Sequence, residues 1–207
     1  GLRKWDGVSW SAVPGLSDGA VTKLIELDDR SGNGPTLHVG GRFFTSAGGD
    51  SYLANYGGCT FSSSGSSYCS ASTTSFGCVP RISGNCAASA TATSGFTLSV
   101  AGAPGNTLGR ILYGVTGSQS APWSTGTSFA CVRPPHQRLA LQNSSGSAGQ
   151  CNGTFSVDWN QFVALHPTAL GAPFTAGELV WAQGWMRDGS APSGSNLSDG
   201  LVFVLAP

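Results

Sequence analysis

A chain of 207 residues is long enough for one large domain or two small ones, each able to bury a core. Ten Lys and Arg balance ten Asp and Glu, and only 10% of residues are charged, well below the usual ~25%. Two Lys and eight scattered Arg make no basic stripe, so nucleic acid and anionic lipid are not expected partners.

Glycine at 31 positions, abundant Ser and Thr, six Trp and a single Met describe many short strands joined by tight turns, which predicts an all-β fold. No apolar run approaches the ~20 residues of a membrane span. Gly1 opens without a signal-peptide pattern, so the expectation is a soluble mature chain that does not insert into a membrane.

Residues 1–58 predict a small antiparallel, propeller-like repeat unit. Arg3-Lys4-Trp5 and Ser9 to Val13 flank Asp6-Gly7, a dipeptide suited to hairpin turns. Val21 to Leu27 alternates, with Val21, Lys23, Ile25 and Leu27 on one face. Turn residues follow from Asp28 to Gly34 before Thr36-Leu37-His38-Val39 resumes a strand. Leu2 to Gly7 returns in altered form as Leu53 to Gly58, placing Trp5 and Tyr56 51 residues apart. Such blade-sized units bury their apolar faces against neighbouring copies. A lone unit leaves open edges that invite strand addition.

Residues 59–92 read as a linker: Phe61 to Ser67 is low in complexity, yet Cys59, Cys69, Cys78 and Cys86 all fall here. With Cys131 and Cys151 they make an even set without C-x-x-C spacing, which fits disulfides in an oxidising, extracellular setting. Many connectivities are open, as are free thiols. The expected pairs are Cys131 with Cys151, Cys69 with Cys78 and, by elimination, Cys59 with Cys86.

Residues 93–207 predict a β-sandwich with one short helix. Phe96 to Val100 alternates, Ala103-Pro104-Gly105-Asn106 turns the chain into Gly109 to Val115, and Glu178 to Arg187 is the longest strand signal. Leu201 to Leu205 is continuously apolar, as expected of a strand buried on both sides. Asp158 and Gln161 form a capping box ahead of Trp159, Phe162, Val163 and Leu165, an apolar stripe that ends before Pro167.

Two stretches carry a resemblance. Trp5-Asp6-Gly7, Trp10 and Leu37 to Phe43 resemble the tandem propeller-like W-D-G repeats of large secreted proteins from environmental bacteria. Gly77-Cys78-Val79-Pro80, Cys131 to Pro135, Asp158-Trp159, Trp185 to Asp188 and Asn196 to Leu201 are similar to the domain that closes many of those proteins. The resemblance implies long repeat arrays ahead of one terminal domain, and no enzymatic activity. This chain departs in having one repeat, and in ending Leu205-Ala206-Pro207 where the family often places a cysteine.

Catalytic residues are not expected. A nucleophilic hydrolase needs an activated Ser or Cys with a base in reach, but there is no G-x-S-x-G elbow, and His38, His136 and His166 are scattered. Paired glycosidase acids are not expected, since Glu26 and Glu178 are the only Glu and fall in different predicted domains. Asp29 to Gly34 opens like a calcium loop, but its twelfth position is Gly40, so a plain turn is expected, with neither metal nor cofactor. Trp181 and Trp185 share a strand face and suit either core packing or stacking on a sugar. Asn143, Asn152 and Asn196 open N-x-S/T sequons.

Together these features predict a non-catalytic structural protein at the cell surface that joins copies of itself head to tail by strand completion. Trp5, Trp10, Tyr56, Trp181 and Trp185 are the candidate binding and assembly residues. The alternative is a surface- or glycan-binding module of a larger secreted propeller protein.

Overall fold

The computed structural model describes residues 2–5, 10–12, 19–27, 36–43, 52–57, 65–123 and 128–207. It is all-β apart from one short helix and falls into two compact units, residues 1–60 and 61–207.

In the first unit β1 (Arg3–Trp5) pairs antiparallel with β2 (Trp10–Ala12), bringing Trp5 opposite Trp10. A second sheet has the order β3 (Ala20–Leu27), β4 (Thr36–Arg42), β5 (Leu53–Gly57), again antiparallel. A bulge between Val21 and Lys23 breaks the expected alternation along β3. Val39 and Phe43 are fully buried, with Leu2, Val21 and Leu37 packed against them. Leu24 and Ile25 remain 52% and 59% exposed.

The second unit is a sandwich. Its larger sheet runs β12 (Gln137–Arg138), β9 (Leu108–Gly114), β15 (Leu179–Arg187), β16 (Ser195–Val204), β6 (Ser66–Tyr68), with β13 (Gln142–Asn143) beside β12 on the edge of β9. The smaller sheet is β14 (Gly153–Asp158), β8 (Thr97–Ala103), β7 (Arg81–Asn85). Strand alternation turns Leu98 and Val100 of β8 toward Ile111 and Tyr113 of β9 and Val180, Ala182 and Met186 of β15, all of them fully buried. Glycine permits this close approach: a Cβ on Gly184 would lie 2.7 Å from Val100, and one on Gly109 2.3 Å from Phe155.

Helix α1 (Trp159–Leu165) closes one end. Asp158 caps it as expected, accepting from the Gln161 N–H at 2.9 Å and from the Gly95 N–H at 2.7 Å. The buried Trp159 ring meets Phe203 (5.3 Å), Phe174 (5.1 Å), Tyr113 (5.9 Å) and Phe96 (6.3 Å), mostly edge to face. The expected helix stripe is shorter than its pattern, because Leu165 in the last turn is 70% exposed. The final strand also departs from expectation. Val204 faces out, and the stretch buried on both faces is Ser195 to Leu201, because a hairpin, β10 (Ser118–Pro122) with β11 (Phe129–Val132), packs over it.

The described part of the stretch expected as a linker, residues 65–92, is instead part of the second unit. Its strands β6 and β7 belong one to each sheet, and Ile82 and Ala88 sit in the core. Two expected disulfides are corrected for the same reason: Cys69 bonds Cys131 and Cys78 bonds Cys151. β7 and β14 both run antiparallel to β8, so the loops leading into them, which carry Cys78 and Cys151, meet at one end of the smaller sheet. Tyr68 at the end of β6 sits opposite Gly200, which pairs with Gln183. The Gln183 side chain binds the Cys131 backbone, and this brings Cys69 and Cys131 together. Cys86 is also disulfide-bonded, while its expected partner Cys59 lies outside the described residues. These cross-links fit an oxidising environment, and among the described residues no helix is long and apolar enough to cross a membrane.

Each long-range disulfide closes a loop of 62 or 73 residues in the unfolded chain. Replacing either pair by alanine is expected to cost about 4 kcal/mol, read as a lower urea midpoint in equilibrium unfolding of each double variant.

Candidate functional site

The most elaborate surface feature lies on the outer face of the larger sheet. Because Ile111, Tyr113, Ala182 and Met186 point inward, alternation turns Leu108, Arg110 and Leu112 of β9 and Gln183, Trp185 and Arg187 of β15 outward. Register sets Leu112 beside Gln183 and Arg110 beside Trp185, while Arg138 on β12 flanks Leu112 from the other side. The β10–β11 hairpin stands over this floor as a wall, with Ala130, Val132 and Trp123 facing it. The result is an open groove of about 770 Å³. The Trp123 indole N–H donates to the Ser195 Oγ at 3.2 Å, fixing one end of the wall.

Gln183 anchors the hairpin. It is 1% exposed, and its amide accepts from the Cys131 N–H (2.9 Å) and donates to the Phe129 and Ser198 carbonyls (2.8 and 2.7 Å). Tyr68 donates to the Cys131 carbonyl at 3.0 Å, and burial holds its phenol protonated by pushing its pKa up. The wall of the groove is therefore held by side-chain hydrogen bonds and the Cys69–Cys131 disulfide.

Charge is distributed unevenly around this site. The second unit has four acids, and all four are committed internally. Asp158 caps the helix, Glu178 accepts from the Thr175 N–H, Asp199 accepts from the Ile82 N–H and pairs with Arg81, and Asp188 accepts from Ser75. No Asp or Glu lines the groove, whereas Arg110, Arg138, Arg187 and His136 do. Among the described residues none of these three arginines has an ion-pair partner; Arg81–Asp199 is the ion pair of this unit. Three arginines that are scattered in sequence thus share one surface.

Of the aromatic candidates, Trp185 lies in this groove, half-buried and outside the core. Trp181 faces the same way but belongs to a separate hollow with Val115, Gly171, Glu178 and Leu179. The hairpin over Gln183 falls between the two tryptophans, so they do not form one platform. On the first unit Trp10 is 62% exposed, while the side chains of Trp5 and Tyr56 lie outside the described residues. His136 is exposed at the groove with its Nε2 2.9 Å from the Val132 carbonyl, His166 caps α1 and stacks on Phe162, and His38 lies within β4. Asp29 to Gly34 lie outside the described residues, and among those described no group of His, Cys, Asp or Glu is placed to hold a metal. Of the three sequons, Asn143 and Asn152 are exposed, whereas Asn196 is buried and donates to the Thr73 carbonyl.

Sequence reasoning missed Arg110, Arg138, Arg187, Trp123 and Leu112. The usable signal was the period-two pattern Leu108-x-Arg110-x-Leu112 together with Trp185-x-Arg187, which places guanidiniums and apolar groups on one sheet face. Comparison with family models, curated proteins and solved structures finds no match to this chain.

Asp188 braces the turn into β16, beside the groove. Burial alone would raise its pKa, but hydrogen bonds from the Ser75 hydroxyl and N–H, from Asn196 and from the Ser190 N–H outweigh burial and hold it below the usual aspartate range. A lowered folded-state pKa contributes stability above the unfolded pKa, and that stability is lost as pH falls through the folded value. Asp188→Asn is expected to cost about 1–3 kcal/mol at neutral pH. Its difference from the wild type should narrow on acidification, measured by urea unfolding across a pH series.

Proposed function

We propose that this is a non-catalytic extracellular binding protein whose second unit attaches to a surface glycan through the groove on its larger sheet. The observation that carries the reading is Trp185, an indole kept out of the core and set on a rigid sheet floor. Aromatic faces of this kind stack on the C–H face of a sugar ring and bring large contact area at little conformational cost. The two long-range disulfides support an oxidising, extracellular setting. Trp185→Ala is expected to reduce retention on insoluble bacterial envelope polysaccharide at least tenfold without changing the melting temperature by more than a few degrees. Retention equal to the wild type would remove the reading.

A second reading, self-assembly through the first unit, is favoured by the exposure of Leu24 and Ile25 on β3, which pairs with β4 alone among the described strands. An edge strand with uncovered apolar side chains is a template for another strand, and head-to-tail addition would build an open filament. Sedimentation should then show concentration-dependent oligomers that Leu24→Lys with Ile25→Lys returns to monomer. A wild type that stays monomeric at high concentration would rule this out.

A further inference from the structure

We infer that the groove selects an acidic polysaccharide, a linear sugar chain carrying carboxylate or sulfate groups. This rests on the glycan-binding reading and adds the charge of the ligand to it. The floor of the groove holds Arg138, Arg110 and Arg187 on three successive strands, β12, β9 and β15. Arg138 sits opposite Leu112, Arg110 is two residues back along β9 and opposite Trp185, and Arg187 is two residues beyond Trp185. Each step moves one strand sideways and two residues along, so the arginine positions follow a diagonal with a pitch of roughly 8 Å. A single small anion would be served by guanidiniums converging on one point, whereas a stepped row matches charges repeated along a chain.

The apolar groups are interleaved with that row. Trp185 lies level with Arg110 on the neighbouring strand and two residues before Arg187 on its own, and exposed Leu108 and Leu141 extend the non-polar surface. A sugar ring on Trp185 would place its acidic substituent within reach of a guanidinium, whose planar fork binds carboxylate or sulfate oxygens in pairs. No Asp or Glu is part of the lining, so a ligand that carries acidic groups would meet no carboxylate on the floor or wall of the groove. Neighbouring charges in the row lie about one Debye length apart at physiological salt, so a polyanion that spans the row meets overlapping fields.

The test measures binding of the full chain to alginate, dextran sulfate, unmodified dextran and a single-stranded oligonucleotide. We expect binding to alginate or dextran sulfate that weakens steeply with salt and no measurable binding to dextran. Alginate and dextran sulfate separate carboxylate from sulfate as the recognised group. Arg110→Gln, Arg138→Gln and Arg187→Gln should each lose about tenfold, and Trp185→Ala at least as much. Arg133→Gln, an exposed arginine outside the groove, should lose less than twofold. Equal loss in Arg133→Gln would show general charge attraction and overturn the inference. So would oligonucleotide binding as tight as that of the acidic glycans. If dextran binds as well as alginate, and Trp185→Ala abolishes binding while the arginine variants do not, acid selectivity falls and the glycan-binding reading stands. Failure to bind any of the polysaccharides overturns both.

Discussion

The buried amide of Gln183 is the contact on which the outer surface of the second unit depends. It spends its carbonyl and both N–H groups on backbone atoms of two different elements, Phe129 and Cys131 of β11 and Ser198 of β16. A buried amide left half-satisfied costs more than it returns, so this geometry holds the hairpin at one height over the sheet. Cys131 is further held by the Tyr68 hydroxyl and by its disulfide to Cys69. With the wall fixed, β9 and β15 can expose arginines and a tryptophan beside it without the groove collapsing.

Beneath that surface the two sheets need close contact to share one core. Gly184 and Gly109 allow it, and Ser198 completes the irregularity that follows: its Oγ accepts from the Gly184 N–H at 2.8 Å where the β15–β16 register shifts. The smaller sheet is attached at its other edge by Asp199, whose carboxylate accepts from the Ile82 N–H at 2.8 Å and pairs with Arg81. A buried carboxylate is tolerable there because a backbone donor and a surface guanidinium both satisfy it. Asp188 and Asp199, two of the four acids of the unit, are in this way buried away from the surface.

A nearly neutral unit thus has a local sign on one face. The acids cap, pair or brace loops, while three of five arginines stand on one sheet face. Net charge therefore says little about partners in this chain. A sheet can collect like charges from β9, β12 and β15 that are tens of residues apart in sequence, whereas a charge count reads them as dispersed.

The all-β class, the hairpin of β1 with β2, the Asp158 helix cap and the strand face shared by Trp181 and Trp185 were legible in the sequence, because each depends on neighbours within a few residues or on strand alternation. The disulfide partners were not. Cys69 and Cys78 are close in the chain, yet each bonds a cysteine more than 60 residues away, since strand order rather than sequence distance decides which loops meet. The fate of residues 65–92 was hidden for a related reason: short Ser- and Gly-rich strands carry little apolar pattern, and their place on two sheet edges is set by the partners that hydrogen-bond to them. Local pattern determined which residues form strands and which way their side chains face. Only the tertiary structure decided which of those faces is covered by a hairpin and which is left open as a groove, because that depends on side-chain bonds between elements far apart in the chain.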